Sequence, residues 1–248
     1  MSEKTYKNKI IYFFTIVFLE EMNIIQTWKT QTIPLHYREF VNKVKTMNPN
    51  WNYMFFDDDD IIEFMKSTEY YDTFSNLSGK IQQIDFFRYV AIYYYGGIYL
   101  DLDIDLVCSF DDVDLTKCIF PIEVKYAGDE ILKSQGVDLI GNYAFYSPKG
   151  HPFLKKIIDN IVTQRIPNVI IENAQKNHTD DSRDVYVYYR TGPILVSQSY
   201  ADFVLSNEGD SGLVLIEPEP YLDNCFGKYG FHRCYGSWRH THSPQTPL

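Results

Sequence analysis

The stretch GGIYLDLDID, residues 96–105, sets Asp101, Asp103 and Asp105 at every second position, with Leu100, Leu102 and Ile104 between them. Side chains of an extended strand alternate between its two faces, so Tyr99 and the three aspartates are expected on one face and the apolar residues on the other. Carboxylates spaced in that way stand roughly 6.5–7 Å apart and repel one another wherever water is partly excluded. Something positive should sit among them. Hard oxygen ligands at i and i+2 suit Mg²⁺ or Mn²⁺, which keep open positions for the oxygens of a second anion such as a phosphate. Alternation alone also describes an edge strand with a solvated acidic face, so the flanking residues decide.

Immediately upstream, KIQQIDFFRYVAIYYY (80–95) repeats apolar residues at Ile81, Ile84, Phe87, Ala91, Ile92 and Tyr95, the spacing of one buried helical face, and Gly96 and Gly97 then stop the helix. Asp85 and Arg88 share a face of that helix. They could form a plain surface ion pair, or the arginine could counter the acidic strand and grip a ligand.

The elements that would position these residues read as α/β. MNIIQTW (22–28) is a short buried strand, a helix follows Pro34 with Tyr37, Phe40, Val41 and Val44 at helical spacing, and NPNWNYMFFD (48–57) is a turn and a second strand. This βαβ opening predicts a parallel sheet. The four aspartates at 57–60 suit the N-terminus of a further helix as capping and dipole residues. Downstream, KCIFPIEV (117–124), VDLIGNYAFYS (137–147) and GLVLIEP (212–218) are expected strands, and HPFLKKIIDNIV (151–162) an amphipathic helix. In TGPILVSQSYADFVL (191–205), Thr191 is a plausible cap and Pro193 stands at a first helical position. The stretch 229–244, dense in Tyr, His, Arg, Ser and Trp, is not patterned as core.

At 248 residues, 45% hydrophobic and 17% aromatic, the chain can bury the core of a single folded domain, with room for a small appendage. A formal net charge of -10 and the lack of any basic run argue against a nucleic-acid-binding surface. An anionic ligand would therefore need a metal or a local basic site. Cys108, Cys118, Cys225 and Cys234 match no zinc or CxxC spacing, and their pairing is open. Asn76 and Asn177 head N-x-S/T sequons, which matter only in a secretory lumen. The apolar run at 10–19 follows Lys4, Lys7 and Lys9 but falls short of the roughly 20 residues of a spanning helix. Three readings of it stay open: an extra N-terminal element packed on the domain, a degenerate membrane anchor, or translated upstream sequence, since Met22 begins a natural first strand.

The longer string DFFRYVAIYYYGGIYLDLD, Asp85 to Asp103, resembles the DxD sugar-binding glycosyltransferases of family 32. That family includes fungal α-mannosyltransferases and inositol-phosphoceramide mannosyltransferases, with the large clostridial glucosylating toxins as distant relatives. Further pieces stand in the family's order: IIQTWK, NPNWNYMFFDDDDI, GNYAFYSPKGHPF, TGP and HRCYGSW, so that the likeness spans roughly residues 22–240. It implies residues 1–21 as an extension and 22–248 as a catalytic domain of GT-A type, with a mostly parallel sheet flanked by helices. It also implies metal-dependent, retaining transfer of a hexose from a nucleoside-diphosphate sugar, GDP-mannose or a UDP-sugar, to a glycan, lipid or protein acceptor. Membrane association through residues 10–19 is compatible but not required.

Position by position, Asp101 and Asp103 look like the family's pair, Asp103 as the more direct ligand of Mn²⁺ or Mg²⁺ and Asp101 reaching ribose or metal. Asp85 and Arg88 look like the contacts to donor sugar and phosphate, and Tyr99 matches a position near the donor. Trp28 is similar to a tryptophan that stacks on the nucleobase, with a core aromatic as the alternative, and Asn142 resembles an asparagine beside the reacting sugar, with a turn residue as the alternative. His232, Ser237 and Trp238 match an H-x4-S-W arrangement that completes the metal and diphosphate shell. His240 and His242 lie beyond the motif, and Asp105 is accessory. Ile25 stands where the family often has His. The competing classes are a metal-dependent nucleotidyltransferase or phosphohydrolase using the same carboxylates, and a sugar-nucleotide-binding module without turnover.

Overall fold

Asn23–Thr27 forms β1, Leu35–Met47 forms α1 with Tyr37, Phe40, Val41 and Val44 buried, and Asn52–Phe56 forms β2, parallel to β1 from Asn23↔Asn52 to Thr27↔Phe56. The βαβ opening is thus present as expected. The computed structural model describes residues 22–125, 129–177, 182–206, 212–218 and 224–236. The apolar run at 10–19, Ser237, Trp238, His240 and His242 lie outside the described residues. Asp57 accepts the backbone N–H groups of Asp59 and Asp60, while the Asp60 carboxylate accepts that of Asp57. This reciprocal cap opens α2, Asp58–Lys66, so these aspartates serve the helix start.

Tyr71–Asn76 (α3) leads to α4, Lys80–Tyr95. Instead of one buried face, α4 is buried on all sides from Asp85 to Ile92, because it runs between the sheet and α6, Pro152–Val162. The half-buried Ile81 and Ile84 line a cleft, Ile84 while also packing against the core. Gly96 ends α4 at φ 69°, and Gly97 follows at φ 111°, where a Cβ would stand 2.3 Å from the Asn23 carbonyl oxygen. The reversal therefore requires glycine.

Gly97–Leu100 forms β3, parallel to β1 and antiparallel to Ala144–Ser147 (β7). The alternation stops there. A turn closed by the Ile104 N–H to the Asp101 carbonyl, 3.2 Å, separates β3 from Ile104–Leu106 (β4), which pairs with Gly230–His232 (β9) in a second, two-stranded sheet. The single acidic face expected across residues 99–105 is accordingly divided between two sheets.

Cys118–Val124 (β5) pairs antiparallel to β7 and to Leu139–Ile140 (β6), and parallel to Leu213–Ile216 (β8). The expected strand 137–147 is thus split at Gly141–Tyr143 into β6 and β7. The main sheet runs β2-β1-β3-β7-β5, with β6 and β8 both on β5, and all but β6 and β7 point the same way. The fold is α/β with a mostly parallel sheet. One face of it, with Ile25, Tyr99, Phe120 and Phe145, packs on α4, α6 and α9 (Pro193–Ser206). The other, with Ile24, Ile98, Leu100 and Tyr146, packs on α1 and the small sheet. Glu130–Gln135 (α5), Asn168–Asn177 (α7) and Ser182–Arg190 (α8) complete the described helices. None of the four cysteines forms a disulfide, and no described helix is long and apolar enough to cross a membrane.

Candidate active site

Arg88 lies in the middle of α4, and its burial decides between the two readings of the Asp85–Arg88 pair. Both residues are only 3% exposed, so this is no surface ion pair. The guanidinium reaches Asp85 Oδ1 at 2.9 Å, donates to the Asn142 carbonyl oxygen at 2.7 Å, and stands 3.4 Å from Asp101 Oδ1. It lies over the Tyr99 ring at 4.5 Å. Burial opposes its charge, but Asp101, Tyr99 and Asp85 outweigh burial and hold the arginine protonated. Its Nε is buried without a partner among the described residues.

Asp85 accepts from the Thr191 hydroxyl at 2.9 Å and from Asn142 Nδ2 at 3.3 Å. Burial pushes its carboxyl up to about 6, against the lowering influence of Arg88. Asn142 also donates to the Tyr89 hydroxyl at 2.8 Å, and Tyr89 donates to the Thr191 carbonyl at 2.9 Å. Thr191 therefore serves Asp85 with its hydroxyl rather than the helix start at Pro193, and Asn142 is a buried network residue rather than a plain turn former.

Asp101 is fixed through its backbone. Its N–H donates to the Tyr143 carbonyl at 2.8 Å, and its carbonyl accepts from Gln26 Nε2 at 3.2 Å, while Tyr53 holds that glutamine from behind at 3.0 Å. The Tyr99 hydroxyl donates to Asp101 Oδ1 at 3.0 Å. Burial and the neighbouring Asp103 raise the Asp101 carboxyl, and Arg88 opposes them.

The β4–β9 pairing then brings in a residue from the far end of the chain. His232 faces Ile104 in register, and its Nε2 lies 3.3 Å from Asp103 Oδ1. One ligand atom each from Asp101, Asp103 and His232 lies within 4.8 Å of the others. Tyr143 stacks on the imidazole at 4.4 Å, Cys234 Sγ stands 3.4 Å from Nδ1, and the Tyr235 N–H donates to Asp103 Oδ2 at 2.9 Å. Burial disfavours the imidazolium, but the hydrogen bond to Asp103 outweighs burial and lifts His232 to about 10. Burial likewise pushes Asp103 up, and His232 more than reverses it, leaving Asp103 below the usual carboxylate range. Two carboxylates and an imidazole fit a divalent cation of the Mn²⁺ or Mg²⁺ kind, the imidazole leaning toward the transition metal.

Asp105 goes elsewhere, to Lys43 at 2.7 Å and to Arg233. Each aspartate of the stretch thus has its own cation: Arg88 for Asp101, His232 for Asp103, and Lys43 with Arg233 for Asp105.

A cleft of about 1140 Å³ runs along this cluster. Trp28, Asp85, Arg88, Tyr99, Asp101, Asp103, Asn142 and His232 all line it, together with the apolar Ile81, Ile84, Ile131, Leu139, Val187 and Ile194. Trp28, half-buried just past β1, meets Tyr37 edge-on at 5.2 Å and has the Lys29 ammonium 5.7 Å from its ring centre. Ile25 is wholly buried in the core, so no polar group takes the place of the family's histidine there. Sequence reasoning missed the network roles of Tyr89, Thr191 and Tyr143. All three fall inside matched pieces, but the match suggests no role for Tyr89 or Tyr143 and the spacing only a cap for Thr191, because contacts spanning 102 and 106 residues leave no local signal.

Residues 34–119 match the family model described as glycosyltransferase sugar-binding region containing DXD motif. Over that region the chain is similar to the DXD-motif glycosyltransferases, and Asp101 and Asp103 form a D-x-D that falls within it. It is similar to inositol phosphoceramide mannosyltransferase 1 of Schizosaccharomyces pombe, 27% identical over 188 residues that make up 74% of this chain and 52% of the relative. It is also similar to mannosyl phosphorylinositol ceramide synthase SUR1 of Saccharomyces cerevisiae, 38% identical over 82 residues, 32% of this chain and 22% of the relative. The chain spans about half or less of the length of the curated relatives it matches. Among solved structures, the PaToxG glycosyltransferase superposes with a TM-score of 0.49 at 17% identity, covering 79% of this chain and 77% of that one.

Proposed function

We propose that the chain is a metal-dependent, retaining glycosyltransferase of GT-A type that moves a hexose from a nucleoside-diphosphate sugar to an acceptor hydroxyl. The observation that carries this reading is the juxtaposition, along one large cleft, of the Asp101–Asp103–His232 cluster with the buried Arg88–Asp85–Asn142 network. The relatives are named as mannosyltransferases, which favours GDP-mannose as donor.

Asp101, Asp103 and His232 hold the divalent cation, Mn²⁺ by preference, which when bound neutralises charge developing on the leaving diphosphate. Asp85 and Asn142 orient the donor sugar through its hydroxyls. Arg88 fixes Asp85 and Asp101 in place and adds positive charge beside the phosphates, and Tyr99 keeps the Asp101 carboxylate aimed. Trp28 offers its half-buried face to the base. Ser237 and Trp238 are assigned to the diphosphate shell on the motif match alone. The apolar residues of the lining suit an acceptor with an apolar portion, such as a lipid.

The test is a panel of nucleotide sugars incubated with Mn²⁺ and no acceptor. Slow release of GDP from GDP-mannose is expected. Pyrophosphate, monophosphate or phosphate would instead indicate a nucleotidyltransferase or phosphohydrolase, and donor binding without any release would indicate a binding module.

A further inference from the structure

Glu123 is a half-buried carboxylate on the wall of the same cleft, and none of the roles above uses it. It stands at the carboxyl end of β5, where pairing with β6 slips: Ile122 faces Ile140 and Val124 faces Leu139, so two steps of β5 match one of β6. Glu123 is the extra residue. A bulge of this kind re-aims a side chain that a regular pleat would direct elsewhere, and bulges concentrate beside active sites. Among the described residues no hydrogen bond or ion pair holds Glu123, and the adjacent Lys125 pairs with Glu217 instead. Leaving a carboxylate unpaired in a partly desolvated wall is unfavourable for folding, so its place points to a ligand.

The surroundings narrow the ligand. Glu123 lines the same cleft as Asp101 and His232, and it adjoins Val124, whose strand partner Leu139 lines that cleft too. A carboxylate repels diphosphate oxygens, so it does not belong to the donor's charged end. It suits a hydroxyl.

We propose that Glu123 is an acceptor-binding residue, whose carboxylate accepts a hydrogen bond from a hydroxyl of a neutral polyhydroxyl group bound in the cleft. This rests on the glycosyltransferase reading, but its test needs no turnover. Binding of methyl α-D-mannopyranoside and of myo-inositol is followed by saturation-transfer NMR in the presence of Mg²⁺ and GDP, for the unaltered chain, Glu123→Gln and Glu123→Ala. The half-saturating concentration of at least one probe should rise at least about 10-fold in Glu123→Ala and less in Glu123→Gln, the scale of a lost charge-assisted hydrogen bond. GDP affinity should hold in both variants, and melting temperature should hold or rise because an unpaired charge is removed. Equal probe binding in all three proteins, or no binding of either probe by the unaltered chain, overturns the proposal. So does a fall in Mn²⁺ affinity in the variants, which would make Glu123 a metal ligand. Failure of the donor panel with Glu123-dependent probe binding would instead count against the transferase reading alone.

Discussion

At the scale of single residues the site is a set of charges, each held by a stated partner. Arg88 is the one most deeply committed, and removing it leaves Asp85 buried without its cation. Arg88→Ala should cost about 3–5 kcal/mol, the range for breaking one side of a buried pair. Denaturant unfolding measures this, and a loss below about 1 kcal/mol would mean that the pair is not the buried structural unit described. Trp28 makes a contrasting case, since its ring is only half-buried. If the indole stacks on the base, Trp28→Ala should weaken nucleotide binding by about 1–3 kcal/mol with the fold intact, and unchanged affinity would return Trp28 to the core. The D-x-D, the Asp85–Arg88 pair and His232 were legible in spacing and motif. Tyr89, Thr191 and Glu123 were not, because their roles arise from tertiary neighbours and from a bulge.

At the scale of elements, local spacing identified what each segment is and misjudged what lies around it. The apolar stripe of α1 marked its buried face, since only one face of that helix meets the core. The stripe on α4 did not, because a helix between a sheet and another helix is buried even where its residues are polar. Alternation through residues 99–105 concealed a turn, since period-2 spacing says nothing of whether the next ladder continues, and β4 exists through pairing with β9 far along the chain. The entry to β3 is tighter still. At Gly97 a methyl group meets the Asn23 carbonyl and the backbone has φ 111°. Gly97→Ala should therefore destabilise the protein by at least about 2 kcal/mol, within the range for a strained backbone position. Chemical denaturation checks this, and a neutral result would mean that the α4–β3 junction relaxes freely.

At the scale of the molecule, the residues converge because of strand direction. Trp28 follows β1, Asp101 follows β3 and Glu123 stands at the end of β5, three strands that point the same way, whereas Asn142 precedes β7, which runs against them. All four thus reach one edge of the sheet, where open α/β folds bind ligands. The βαβ opening made the parallel half of this sheet legible. The antiparallel insertion of β7 left no mark in the spacing, because a strand buried on both faces reads alike in either direction. The central claim is that Asp101, Asp103 and His232 form a cation site serving a sugar-nucleotide reaction, and Asp103→Asn tests it most directly. Asparagine keeps the shape and can still accept the Tyr235 N–H, but it lacks the charge. Melting temperature with and without Mn²⁺ is measured beside GDP-mannose turnover in the unaltered chain and the variant. Mn²⁺ should raise the melting temperature of the unaltered chain, as a ligand of the folded state does. In Asp103→Asn that rise should vanish, and turnover should drop by at least about 100-fold, the scale of losing a key electrostatic stabiliser. A variant that keeps both the Mn²⁺-dependent rise and near-normal turnover would contradict the account.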